Sequence, residues 1–289
     1  MQEFKPMGFG DVIDKTFRLA LKNFKNYLKI FAVFYGTLFL IIGLISLKAY
    51  FIYNNAKNLE YSLFFNENLY ILIILGVIGA FSAVILSIFG IGITTDLFSK
   101  SFLGEYWDFR SSFLYVKNKF WSIFASSFLS ALVVLCGALL FIIGMYPAAV
   151  LVSCVIPALI NEDLTGSGSI KRSFELTKNK FWSLFGSFIL FSLFTSTLGF
   201  VFFVSIFTFA AAAPFKFIAF SGTHISIITI AIYLILFIAT VLYICLVGAL
   251  STAYYVVQYF NQRIKFENFV ANPNLQYSIE SNDNLYSNN

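Results

Sequence analysis

The chain has 289 residues, 59% of them hydrophobic and only 11% charged, with a formal net charge of +5. Soluble domains carry about 25% charged residues, so this composition, with a mean hydropathy of +0.83, excludes a soluble globular class. The positive charge sits beside long apolar stretches, which points to anionic lipid headgroups rather than nucleic acid.

The segment Met1 to Asn26 contains Glu3, Asp11 and Asp14 and no apolar run of its own, so no secretory signal is expected there. It reads instead as an amphipathic helix. Ile13, Phe17, Ala20 and Phe24 recur at helical spacing, and Lys15, Arg18, Lys22, Lys25 and Lys29 form a basic stripe. Asp11 caps its start, with Asp14 completing an acidic first turn. Such a helix suits the membrane interface, its cations toward lipid headgroups.

A membrane crossing needs roughly 20 apolar residues at about 1.5 Å each. The first candidate is Ile30 to Leu47, bracketed by Lys29 and Lys48. The second is Leu69 to Thr95, closed by Asp96, with Gly76, Gly79, Gly90 and Gly92 permitting close helix approach. A second basic helix follows, with Phe109, Phe113, Val116 and Phe120 at helical spacing and Lys117 and Lys119 beside Trp121. Phe120 to Ile160 has no charge and is too long for one crossing, so it is split at Gly144-Met145-Tyr146-Pro147. The fourth stretch, Tyr146 to Ile160, is short and holds Pro147 and Pro157, but is expected to cross.

Gly166-Ser167-Gly168-Ser169 reads as a hinge and helix cap; it lacks the Gly-Lys-Ser/Thr ending of a phosphate loop. The third basic helix carries Ile170, Phe174, Thr177 and Phe181, with Lys178 and Lys180 beside Trp182. The fifth stretch runs from Phe181 to about Phe207. Phe209 to Thr223, interrupted by Pro214 and Lys216, reads as an outer interfacial segment. The sixth stretch is Ser226 to Leu250, continuing as helix to Phe260. Residues 269–289 are a polar tail rich in Asn and Ser, expected to be disordered.

Sixteen of the 19 Lys and Arg residues fall on one side of these stretches; only Lys48, Lys57 and Lys216 fall on the other. The positive-inside rule then places both termini in the cytoplasm, and the expected location is a bacterial inner membrane.

The chain also repeats itself. Residues 112–126 and 173–187 agree at ten of fifteen positions with a constant offset of 61, each copy leading into an apolar stretch. A looser third copy, Phe17 to Phe31, echoes the Lys-Asn-Lys-Phe core with Lys22-Asn23-Phe24 and Lys25-Asn26-Tyr27. The expected fold is therefore all-α and integral to the membrane. It has about six crossings arranged as three parallel repeats of a basic interface helix plus two spans, at residues 10–98, 105–162 and 167–260 of a 1–268 domain. Trp121 and Trp182 read as headgroup-level anchors.

Signals for chemistry are sparse. The span centres carry no charge, and intramembrane charge is the usual mark of function. Asp96 and Glu162 are the candidate polar site: Asp96 as a boundary or a cation ligand, Glu162-Asp163 as a helix end able to pair with Lys171 or Arg172. His224 is the one histidine, too few for a His-rich metal site, and Cys136, Cys154 and Cys245 have no ligand spacing. No catalytic residue, metal or cofactor is expected.

Three segments carry a family resemblance. They are Phe9-Gly-Asp-Val-Ile-Asp-Lys-Thr-Phe17; Pro157-Ala-Leu-Ile-Asn-Glu162 followed by Ser169-Ile-Lys-Arg-Ser-Phe-Glu-Leu-Thr177 and Phe181-Trp182; and Ala253-Tyr-Tyr255 with Gln262-Arg-Ile-Lys-Phe-Glu267. Together they resemble the glycerophosphoryl diester phosphodiesterase membrane-domain family. The histidines and metal-binding carboxylates of the catalytic domain fused to some members have no counterpart here. The resemblance therefore implies a stand-alone membrane domain whose enzyme activity does not carry over. The expected role is a non-catalytic scaffold or accessory subunit that organises lipid or a membrane protein partner; the alternative is a permease or lipid-handling transporter for a neutral or amphiphilic substrate.

Overall fold

A computed structural model describes residues 5–55, 61–140, 144–178, 180–219 and 227–267. Lys57, His224, the end of the Phe209–Thr223 segment and the polar tail lie outside them. The described residues form nine helices and no strand: α1 (Phe9–Asn55), α2 (Tyr61–Leu103), α3 (Phe109–Asn118), α4 (Phe120–Leu140), α5 (Met145–Leu151), α6 (Val155–Asn161), α7 (Gly166–Lys178), α8 (Phe181–Ala219) and α9 (Ile227–Glu267). Five of them, α1, α2, α4, α8 and α9, are long and apolar enough to cross a membrane.

The expected division between the first basic helix and the first apolar stretch does not exist. α1 runs without a break for 47 residues, about 70 Å. The change from charged to apolar sequence at Lys29 and Ile30 is not a change of backbone, and no Gly or Pro stands there to end the helix. Its buried line is Val12, Thr16, Leu19, Asn23, Tyr27, Ile30 and Phe34, in steps of three and four. The line expected from sequence lies at the edge of this face. Phe17, half-buried, packs edge-on against Phe194 of α8 at 5.6 Å.

The fourth stretch is broken into α5 and α6, of seven residues each. Pro147 and Pro157 sit third in these two helices, within first turns, where a missing N–H breaks no intrahelical bond. The two helices still bring the chain back. Gly137 of α4 and Gly144 approach so closely that a Cβ on Gly137 would stand 2.6 Å from the Gly144 carbonyl oxygen. At the far end Lys119 Nζ meets Asp163 Oδ1 at 2.8 Å. α8 continues through Pro214 to Ala219, so residues 209–219 extend the fifth stretch rather than forming a separate segment.

The core gathers at one end of the bundle, the end that carries the basic residues. Its fully buried members include Ile30 of α1, Ile93, Leu97 and Phe98 of α2, Val116 of α3, Ile123 of α4, Leu159 of α6, and Leu250, Tyr254, Tyr259 and Phe260 of α9. The outer halves instead present apolar surface, with Leu40, Ile74, Leu139, Phe200 and Phe203 exposed.

Small residues set the crossings at the packed end. A Cβ on Gly92 would stand 2.9 Å from both methyls of Val116, and one on Gly166 would stand 2.9 Å from the Ala125 Cβ. Gly166 is thus the first residue of α7, seated on α4, and not a hinge. Beside it the Ser126 and Ser169 hydroxyls meet at 2.9 Å. Gly76 faces open space, so of the four α2 glycines it alone has no close neighbour.

Positions 61 apart have matched environments. Ser112 and Ser173, Val116 and Thr177, Ile123 and Leu184, and Ser126 and Ser187 are all buried. Trp121 and Trp182 are 76% and 79% exposed. Each tryptophan lies edge-on to the preceding phenylalanine, at 5.4 and 5.5 Å, and to the phenylalanine three residues on, at 6.0 Å in both copies.

Candidate functional site

The packed end holds a polar cluster built from five helices. α9 contributes Tyr259, Arg263 and Glu267, one turn apart on one face. α6 ends at Asn161, delivering Glu162, and α7 presents Arg172. Arg172 Nε donates to Glu162 Oε2 at 2.7 Å, and its Nη2 donates to Glu267 Oε1. Arg263 Nε donates to Glu267 Oε2 at 3.0 Å and Nη1 to the Tyr259 hydroxyl at 3.1 Å. That hydroxyl donates to Glu162 Oε1 at 2.9 Å, closing the ring. Two carboxylates and two guanidiniums cancel within it. Burial works against the Arg172 charge, but the hydrogen bonds and charges of Glu162 and Glu267 prevail and hold its pKa above the ordinary value.

Two further groups adjoin the ring. Asp163, beside Glu162, takes a left-handed backbone conformation (φ 52°) that reverses the chain after α6. Its carboxylate meets Lys119 at 2.8 Å and accepts from the Tyr115 hydroxyl at 3.2 Å. These bonds hold the Asp163 carboxyl below the ordinary carboxylate range. The Tyr115 hydroxyl is pushed upward, by burial first and then by the Asp163 charge. On the other side Asp96, 6% exposed, accepts from Lys100 Nζ at 2.9 Å and from the Ser112 hydroxyl of α3. Asp96 closes the apolar stretch while α2 itself continues to Leu103. Asn161 Nδ2 donates to Ser99 Oγ at 2.9 Å, joining the Asp96 side of α2 to the Glu162 ring.

The two carboxylates singled out from sequence thus fall in one connected region. The residues expected at lipid headgroups divide. Arg18, Lys22, Lys25, Lys117, Lys178, Lys180, Trp121 and Trp182 are exposed. Lys15 reaches over the Phe102 ring at 5.4 Å, and Lys119 is engaged by Asp163. Tyr259, Arg263 and Glu267 were not expected as site residues; their spacing of four with opposite charges was the available signal. Buried Trp107 Nε1, Ser130 Oγ and Gln262 Oε1 have no hydrogen-bond partner. Among the described residues no three His, Cys, Asp or Glu side chains gather as a metal-holding group.

The chemistry this arrangement supplies is cohesion. Each carboxylate of the ring is bound to a cation, and each cation to a carboxylate, so the cluster ties α6, α7 and α9 together. Comparison with family models, curated proteins and solved structures finds no match to this chain.

Proposed function

We propose that the chain is a non-catalytic, six-crossing protein of the bacterial inner membrane, its termini cytoplasmic, acting as a scaffold or accessory subunit that organises lipid or a membrane protein partner. In this reading α5 and α6 together make the fourth of the six crossings. Three parallel repeats, each led by a basic segment, set their cations against the cytoplasmic leaflet, and the resemblance to the glycerophosphoryl diester phosphodiesterase membrane-domain family implies a stand-alone membrane domain without the enzyme activity.

One observation carries this reading: the core sits at the charged end and the outer halves are bare apolar surface. Apolar burial is driven by escape from water, and in hydrocarbon that drive between helices disappears. A chain whose outer halves lie in lipid and whose charged end meets water would concentrate its core where this one does. The internally paired ring adds support, since its charges are spent on holding helices together. The matched surroundings of positions 61 apart support the repeat, and the Met7 amide bonded to Asn261 at 2.9 Å brings both ends of the described chain to the charged end.

The test is purification from native membranes in mild detergent, with mass spectrometry of proteins and bound molecules, beside a reporter fused after Glu267. A stoichiometric membrane partner or retained phospholipid, with a cytoplasmic reporter, is expected. A retained non-lipid small molecule without any partner would overturn the scaffold reading in favour of a permease. A reporter active outside would overturn the orientation.

A further inference from the structure

The two copies of the fifteen-residue stretch use the same pair of rings differently. In the first, Phe89 of α2 stands between Phe113 and Phe120, with ring centroids 5.2 and 5.7 Å away. In the second, Phe174 and Phe181 hold the matching positions. Together with Leu151 of α5 they line an open recess of about 420 Å³. Its rim carries Lys171 and Lys178 of α7, both exposed. Two helical turns separate them, about 10 Å along the axis. Glu175 lies between the lysines and faces Arg172 at 3.8 Å. Trp182, beside Phe181, is exposed at the same end of α8.

We propose that this recess binds one anionic glycerophospholipid, an acyl chain filling the place that Phe89 fills in the first copy and the phosphate lying between Lys171 and Lys178. The inference rests on the reading that the charged end faces an anionic leaflet. The floor is apolar and the rim holds two lysines against Glu175, whose carboxylate is drawn toward Arg172, so the rim keeps a net positive charge and the polarity order of a lipid read from tail to head. A zwitterionic headgroup would bring its own cation against the two lysines; an anionic one would not. The site is single because the corresponding space beside α3 is occupied by the protein's own ring.

The experiment uses the full chain purified in mild detergent and titrated with phosphatidylglycerol or phosphatidylcholine, native mass spectrometry counting the lipids retained. One phosphatidylglycerol is expected to outlast phosphatidylcholine. K171Q/K178Q reduces its retention roughly 30-fold, and L151F, which fills the recess without touching the charge, also reduces it. R110Q/K117Q, the matching pair in the first copy, leaves it unchanged. Equal loss in R110Q/K117Q, or unchanged retention in K171Q/K178Q, overturns the site while leaving the membrane reading intact. Displacement by inorganic phosphate alone overturns the lipid assignment. Equal retention of both lipids by every variant overturns the site and the anionic-leaflet reading together.

Discussion

Replacing Arg172 with Met opens the ring while keeping much of the side-chain volume. It removes two charge-assisted hydrogen bonds and leaves Glu162 and Glu267, with side chains 17% and 29% exposed, sharing the single cation of Arg263. Loss of one partner from a buried pair costs about 3–5 kcal/mol, and partial exposure here lowers the expected cost to about 2–3 kcal/mol. Cys154 reports on it. It is fully buried at the start of α6, and its backbone N–H donates to Ser173 Oγ of α7 at 3.2 Å. In a chain with Cys136 and Cys245 changed to Ser, a maleimide dye reaches Cys154 only when α6 parts from α7. If opening precedes labelling, R172M should accelerate it roughly 30- to 150-fold. Adding E162Q should recover part of the loss by removing one stranded charge. An R172M rate within about threefold of the parent would refute the claim that the ring holds α6 to α7.

Three other outcomes are expected. Gly92→Ala drives a methyl onto Val116 and should destabilise the protein by about 1–3 kcal/mol, read as a lower midpoint in detergent thermal unfolding; adding Val116→Ala should restore part of it. Asp163 has its pKa lowered by Lys119 and Tyr115, so its tether contributes above the ordinary value of 3.8 and is lost as pH falls through the lowered folded value. Protection of the amides after α6 against hydrogen exchange, relative to the unfolded rate at the same pH, should therefore fall in acid, and in Asp163→Asn the acid response should flatten. Changing Arg18, Lys22 and Lys25 to Gln should reduce co-purified anionic lipid, at about 1 kcal/mol per exposed cation, and leave neutral lipid unchanged; an unaltered lipid ratio counts against that stripe as a headgroup surface.

Much of the helical architecture was legible because hydropathy is a bulk property of a segment. The stretches beginning at Ile30, Phe120 and Phe181 all lie in long helices. Finer features depended on conditions that hydropathy does not carry. The basic interface helix and the first apolar stretch were read as separate units meeting at Lys29, where charged and apolar residues part, yet lysine is a good helix former and the backbone continues. The prolines at 147 and 157 were read as flaws in one crossing, whereas each lies in the first turn of a separate short helix. Asp96 and Glu162 stood out as carboxylates, and Arg172, ten residues on, was legible as a partner of Glu162, which it meets at 2.7 Å; Glu267 was not, since it lies 95 residues from Arg172 in the chain. Glu162, Arg172, Arg263 and Glu267 all fall within the segments that carry the family resemblance, so the motif held the ring's members without giving their pairing.

The place of α9 in the core bears on how the protein is made. α9 leaves the ribosome last among the described helices, yet it supplies Tyr254, Tyr259 and Phe260 to the core, Arg263 and Glu267 to the ring, and Asn261 to the start of the chain. Until it arrives, Arg172 and Glu162 lack their closing partners and the buried face of α1 is covered by α2 alone on one side. The earlier helices can enter the bilayer singly, but the assembly locks only once α9 has been made. A nascent chain stalled before α9 is thus an open intermediate, the state in which insertion chaperones and membrane proteases would meet it.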